Sequence, residues 1–125
     1  MLTREFCSFE LRTGRIKLEF RFIKVGTDLI CLVAGGKSHL GAASIAEIYH
    51  KSGKIQASAS TISVHGHQDG VITSMIAESL AKQLQCNVLT VAGIHIDNIS
   101  KDEIKTVISL CEEAIKKFIP LYARS

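Results

Sequence analysis

Three breaks in the apolar pattern of this sequence contain most of the side chains that could do chemistry. They run from Gly35 to His39, from His65 to Asp69 and from Gly93 to Asn98, and together they hold four of the five histidines. Histidine can transfer protons near neutral pH, ligate a metal or hydrogen-bond a bound molecule. Each break follows an apolar segment with strand character, so breaks at matching ends of a sheet could converge on one site.

The first break looks like the end of a phosphate-binding P-loop, but two features exclude that motif. The pattern requires a glycine where this chain has Cys31, and a helix where an extended segment follows. A glycine pair beside a lysine still suits an anion, because backbone N–H groups then lie next to a cation. A plain turn with a solvated lysine is the alternative. The break reads Gly35-Gly36-Lys37-Ser38-His39.

The second break spaces possible metal ligands two residues apart, as His65, His67 and Asp69. Side chains two apart on a strand share a face, so these three could bind one ion. The preferred interpretation is that such histidines cap helix ends or line a ligand pocket, and a metal is the weaker alternative. Gly66 and His67 also form a turn immediately before a predicted helix.

The third break places His95 and Asp97 two residues apart, with Asn98 next to them. We expect the chain to turn after Gly93 and to bring both side chains to one side, where Asp97 could orient a histidine ring. His39 should then lie within reach of this loop, in one subunit or across a dimer. Helix N–H groups after Asn98 could hold a phosphate, or Asp97 and Asn98 could simply form the turn.

The surrounding pattern predicts an α+β domain that spans residues 1–125. Residues 15–22 alternate apolar and charged side chains, which is typical of a half-buried strand. Short turns join the first five strands, so a mostly antiparallel sheet of about six strands is expected. The predicted order is β-β-β-β-β-α-β-α, with both helices in the C-terminal half.

Two helix boundaries are predicted from capping residues. Asp69 is placed to cap the first helix. Ser100 and Glu103 form a capping box at the start of the second, in which each side chain bonds the other's backbone N–H. An apolar stripe follows, and Pro120 is expected to end the helix.

Composition narrows the class of protein. Hydrophobic residues make up 46% and charged residues 22%, with a net charge of +3 and no tryptophan. The basic residues are scattered, so nucleic-acid binding is not expected. The start of the chain does not look like a signal peptide and no apolar run suits a membrane, so we expect a cytoplasmic protein with reduced, mostly buried cysteines. Without a nucleophile motif, a binding protein is preferred to an enzyme.

The three breaks resemble the LpdD-like prenylated-flavin chaperone family. The resemblance rests on residues 35–42, on Gly66-His67 before a helix, and on the motif AGIHIDNIS at residues 92–100. It implies non-catalytic binding of prenylated FMN, or FMN, to assist cofactor delivery to or maturation in a UbiD-type decarboxylase. The implied cofactor-binding residues are Gly35, Gly36, Lys37, Ser38, His39, Gly66, His67, His95, Asp97 and Asn98.

A fainter resemblance concerns architecture only. The order of strands and helices is similar to that of small proteasome-assembly chaperone subunits, which implies a homodimer. Two other functions stay open on the residues alone: a small metal- or histidine-dependent enzyme, and a purely structural assembly chaperone.

Overall fold

The structure, a computed structural model, describes residues 3–64 and 69–124. Five strands are followed by a helix, a strand and a helix, which confirms the predicted order and the α+β class. The strands are β1 (Thr3–Thr13), β2 (Ile16–Val25), β3 (Asp28–Gly36), β4 (Ala42–Lys51), β5 (Lys54–Ser63) and β6 (Val88–His95). The helices are α1 (Gly70–Leu84) and α2 (Lys101–Ala123).

The six strands form one sheet in the order β1-β2-β3-β6-β4-β5. β6 lies between β3 and β4, where it pairs parallel with β3 and antiparallel with β4. The other neighbouring strands are antiparallel. Because β3 and β6 run in the same direction, the breaks that follow them emerge at the same end of the sheet.

Both helices cover one face of the sheet. α1 contacts β4, β5 and β6, and α2 contacts β1 and β2. The predicted inward face of β2 is buried, since Ile16, Leu18, Phe20 and Phe22 are each at most 1% exposed. The core therefore lies between this face and the two helices.

The other face of the sheet, called here the helix-free face, is partly apolar. Ile30 and Leu32 of β3, and Leu89 and Val91 of β6, are half-buried on it. Ile45 is 55% exposed and Ile62 is 79% exposed, on β4 and β5. Charged side chains of β1 and β2 border this apolar area.

Asp69 and Pro120 do not play the roles predicted from the sequence. Asp69 stands at the N-cap position of α1, but its side chain makes no capping bond; the carboxylate instead accepts a hydrogen bond from the Ile94 N–H at 3.1 Å. α2 continues through Pro120 to Ala123. The helix loses one backbone donor there. The Tyr122 ring, one turn beyond Phe118, still packs against the Phe118 ring at 5.9 Å between centroids.

The cysteines behave as small hydrophobic residues. Cys31, Cys86 and Cys111 are buried and Cys7 is half-buried, all as free thiols. Burial raises the pKa of Cys111 to about 12, so this thiol stays protonated. Neither α1 nor α2, the helices of the described residues, has the length and apolarity needed to cross a bilayer.

Candidate functional site

The first and third breaks meet at one end of the sheet. Gly36 pairs with His95 in the parallel ladder between β3 and β6. Just beyond the ladder, the Lys37 N–H donates to the carbonyl oxygen of His95 at 2.9 Å. The predicted convergence is therefore confirmed for these two breaks, whereas residues 65–68 of the second break lie outside the described residues.

Two glycines allow the chain to pack this closely. Gly36 has a φ of 64°, and a Cβ there would overlap the carbonyl oxygen of His95. A Cβ on Gly93 would lie 2.5 Å from the carbonyl oxygen of His39. The segment after β3 thus crosses directly over β6, and the Gly41 N–H fastens it there by donating to the Ala92 carbonyl at 2.9 Å.

This crossing brings His39 next to His95. Their ring centroids are 5.3 Å apart, with 39° between the ring planes, which confirms that His39 lies within reach of the third break inside one subunit. Both residues are exposed. The pair therefore presents imidazole nitrogens to solvent at the end of the sheet.

Asp97 links Lys37 to His95. One carboxylate oxygen lies 2.8 Å from the Lys37 ammonium, and the other lies 3.2 Å from Nε2 of His95. The predicted same-side placement of His95 and Asp97 is confirmed. The hydrogen bond from Lys37, and to a lesser degree that from His95, lowers the pKa of the Asp97 carboxyl. Because the Lys37 side chain is 77% exposed and that of Asp97 is 54% exposed, a ligand anion can compete for this lysine.

Arg15 fixes the loop that carries Asp97 and Asn98. Its guanidinium donates to the carbonyl oxygens of Asp97 at 2.9 Å and Asn98 at 3.4 Å. It also forms a two-pronged ion pair with Glu103, at 2.7 and 2.9 Å. That ion pair lowers the pKa of Glu103 to about 2, so Glu103 is ionised at neutral pH.

Glu103 also completes the predicted capping box of α2. It accepts from the Ser100 N–H, while the Ser100 hydroxyl accepts from the Glu103 N–H, both at 3.1 Å. The carboxylate and the cap thus occupy the start of α2, and Asp102 adds a second negative charge in the first turn. This end of the helix is a poor place for a phosphate.

A polar groove of about 610 Å³ opens on the helix-free face at this end of the sheet. Gly35, Gly36, Lys37 and Ser38 line it together with His95 and Asp97. Its cationic side chains are those of Arg12, Arg15, Lys17 and Lys37, and Glu10 and Glu19 line it too. The Lys17 ammonium lies 3.5 Å from a carboxylate oxygen of Glu10. The groove can hold an anion.

An apolar cleft of about 480 Å³ lies on the other side of the end of β6, between α1 and α2. Its walls are aliphatic and its rim includes His39, His95 and Asp69. His95 and Ile96 line both the cleft and the polar groove. The wall residues include Val71, Ile72, Ile99, Ile104 and Ile108.

Most of the predicted cofactor-binding residues border one of these two spaces. Asn98 lines neither and contributes its backbone carbonyl to Arg15. Gly66 and His67 lie outside the described residues, as does His65 of the suggested metal set. Within residues 3–64 and 69–124, no three His, Cys, Asp or Glu side chains are grouped to hold a metal ion.

Arg15 and the aliphatic walls are the parts of the site that the sequence reasoning missed. Arg15 was assigned only to the polar face of a strand, and its partner Glu103 is 88 residues away. The sequence does contain a signal for the cleft, because Ile94 and Ile96 are apolar side chains inside a polar break and Ile99 follows it directly.

The fold has a counterpart among solved structures. A chain from the crystal structure of a chaperone complex for yeast 20S proteasome assembly superposes with a TM-score of 0.60 at 12% identity, covering 95% of this chain and 99% of that one. This likeness concerns the fold alone. Comparison with curated proteins finds no match.

The family model for the prenylated flavin chaperone LpdD-like domain matches residues 12–122. The chain therefore belongs to the LpdD-like family of prenylated flavin chaperones. The match includes both described breaks, α1 and all of α2 except its last residue.

Proposed function

We propose that this protein binds prenylated FMN without transforming it and assists its delivery to, or maturation in, a UbiD-type decarboxylase. One observation carries the proposal beyond the family: a polar groove with cationic side chains and an apolar cleft share His95, whose ring lies 5.3 Å from that of His39. A prenylated flavin nucleotide has a phosphate, a polar ring edge and added hydrocarbon. The site offers a matching surface for each of these parts.

The phosphate is assigned to the polar groove. Lys37 and Ser38 line it just after β3, with Arg12 on β1 and Lys17 on β2. Binding requires Lys37 to exchange the Asp97 carboxylate for a phosphate oxygen. Exposed ion pairs of this kind contribute little to stability because water screens both charges, so the exchange costs little.

The ring edge is assigned to the two histidines. Flavin carbonyl and nitrogen atoms can accept or donate hydrogen bonds, and imidazole can do both. Asp97 accepts at one ring nitrogen of His95, which would leave the other nitrogen for the ligand.

The protonated cysteine thiols are consistent with a binding role without catalysis. The pKa values of Cys7, Cys31 and Cys86 are raised, and in each case burial is the largest cause. Thiols held protonated in this way are poor nucleophiles. None of these thiols lines the polar groove or the apolar cleft.

Replacing His39 or His95 with alanine should weaken flavin binding about ten-fold, the loss expected for one or two hydrogen bonds to a ligand. The melting temperature should hardly change, because both side chains are exposed. Fluorescence titration with FMN and prenylated FMN, together with thermal unfolding, tests this. His50→Ala is the matched control, since His50 is exposed on β4 and lines neither space.

Three results would count against the proposal. If neither flavin binds up to about millimolar concentration, where even ~4 kcal/mol of affinity would be visible, the ligand is wrong. If the two alanine variants instead lose ~1–3 kcal/mol of stability with unchanged affinity, the histidines are structural. If mass spectrometry of recovered prenylated flavin shows a changed mass, the protein is an enzyme.

We further propose that two copies associate as a homodimer through the helix-free face. The support is its exposed apolar area around Ile45 and Ile62, which two sheets packed face to face would bury. The charged residues of β1 and β2 along one side carry both signs, so they could border such an interface without net repulsion. Because the polar groove opens on the same face, the second copy would form part of its outer wall.

Ile62→Lys should convert this dimer to a monomer, since it places a charge in the buried interface. Sedimentation analysis over a range of protein concentrations measures the change. Val71→Lys is the control, because Val71 is similarly exposed, at 71%, but lies on the helix side. A wild-type protein that is monomeric at all concentrations would disprove the dimer.

A further inference from the structure

We propose that the apolar cleft between α1 and α2 recognises the branched isoprenoid part of the ligand and so selects prenylated over plain flavin. The inference rests on the proposed function, which it refines by assigning each half of the ligand to one of the two spaces. If the cleft holds the isoprenoid part, Ile104 and Val71 determine the specificity for prenylated flavin.

The chemistry of the cleft walls identifies the occupant as aliphatic. The walls consist of branched side chains, among them Ile72, Ile99 and Ile108. In the described part of the chain, no phenylalanine or tyrosine lines either space. Aromatic walls could stack on a flat flavin ring, and these walls do not offer that contact. They fit a compact, branched hydrocarbon instead.

Exposed apolar side chains at the mouth of the cleft also favour a hydrocarbon occupant. Val71 is 71% exposed and Ile104 is 45% exposed, on opposite helices. Apolar surface left in water is unfavourable in proportion to its area. A hydrocarbon group bound between the two helices would remove that surface from water, and this gain is unavailable to a ligand without such a group.

The charges of the two spaces favour one orientation of the ligand. The described lining of the cleft contains no lysine or arginine, and it includes the carboxylate of Asp69. The polar groove has four cationic side chains against three carboxylates, those of Glu10, Glu19 and Asp97, so its lining is net positive. A phosphate is therefore favoured in the groove and disfavoured in the cleft.

A single ligand can reach both spaces because they share a boundary. His95 and Ile96 line the groove on one side of the end of β6 and the cleft on the other. Asp69 holds this end of β6 in place, since its carboxylate bonds the Ile94 N–H at 3.1 Å while the residue is only 9% exposed. The ligand would cross the strand end beside the histidine pair.

The test compares three probes: FMN, prenylated FMN and dimethylallyl monophosphate, which carries the branched hydrocarbon and a phosphate without a flavin. Wild-type protein should bind prenylated FMN more tightly than FMN. Ile104→Asn should weaken binding of prenylated FMN and dimethylallyl monophosphate about ten-fold or more, the scale set by losing a small apolar contact, and change FMN affinity less than about two-fold. Calorimetry measures all three.

Two further variants keep the test decisive. Val71→Asn probes the same cleft from α1 and is expected to act like Ile104→Asn, so the test survives if either variant fails to fold. Val25→Asn is the control, since Val25 is 38% exposed at the far end of β2 and lines neither space. Its affinities should match wild type for all three probes.

The outcomes separate this inference from the proposed function. Equal losses for FMN and prenylated FMN would overturn the inference, because the cleft would then hold a part common to both flavins, while flavin binding itself would stand. If neither flavin binds but dimethylallyl monophosphate binds in an Ile104-dependent way, the cleft assignment holds and the flavin function fails. Absence of binding for all three probes overturns both.

Discussion

Gly36→Ala should destabilise the protein by more than about 3 kcal/mol, from two costs that add. The first is backbone strain, because Gly36 has a φ of 64° and a left-handed conformation costs an L-residue about 1–2 kcal/mol. The second is overlap of the new Cβ with the His95 carbonyl oxygen. That oxygen cannot move away freely, since it accepts the Lys37 N–H at 2.9 Å. Relief would separate β3 from β6 and disturb the histidine pair.

Gly26→Ala is a closely matched control for this prediction. Gly26 has a φ of 61°, and a Cβ there would meet nothing within 4 Å. Its cost should therefore be the backbone term alone, about 1–2 kcal/mol. Denaturant unfolding measures the free energy of unfolding of both variants, and the difference between their losses is the cost of the Cβ overlap. Flavin titration shows whether only Gly36→Ala damages the site. Equal destabilisation by the two variants would mean that β3 and β6 are not packed so closely at this end.

The order and type of the elements could be predicted because their signals are local. The alternation in β2 and the Ser100–Glu103 capping box each depend on residues a few positions apart. The same holds for the turns between strands. The insertion of β6 between β3 and β4 is a long-range pairing, and no short sequence pattern encodes it.

The candidate site was predicted in part for the same reason. Polar breaks at strand ends indicated that His39 and His95 would meet, and the sheet order brings this about. The role of Asp69 was predicted wrongly because its carboxylate could accept either from the N–H groups that begin α1 or from a distant backbone N–H. It accepts from the distant one, that of Ile94. The Arg15–Glu103 pair and the cleft depend on how α2 lies over the sheet, which the sequence alone does not specify.

Phe118→Ala should cost about 3–5 kcal/mol of stability, the range for removing a buried aromatic ring. Phe118 is fully buried, and its ring stacks on Phe22 with centroids 3.8 Å apart. It also meets the edge of Phe6 at 5.7 Å. These contacts hold the C-terminal half of α2 against β1 and β2, so their loss should free that half of the helix first.

The same variant should leave ligand affinity nearly unchanged while the protein is folded. Phe118 is fifteen residues after Glu103, or about 22 Å along the helix, and the Arg15–Glu103 pair fixes the other end of α2 independently. Phe118→Leu keeps most of the apolar volume and should cost clearly less. Denaturant unfolding measures stability and flavin titration under native conditions measures affinity. A loss of stability below about 1 kcal/mol for Phe118→Ala, well under the usual cost, would contradict the packing of this half of α2 on β1 and β2. A loss of ligand affinity in the same variant would show that the two ends of α2 act as one unit.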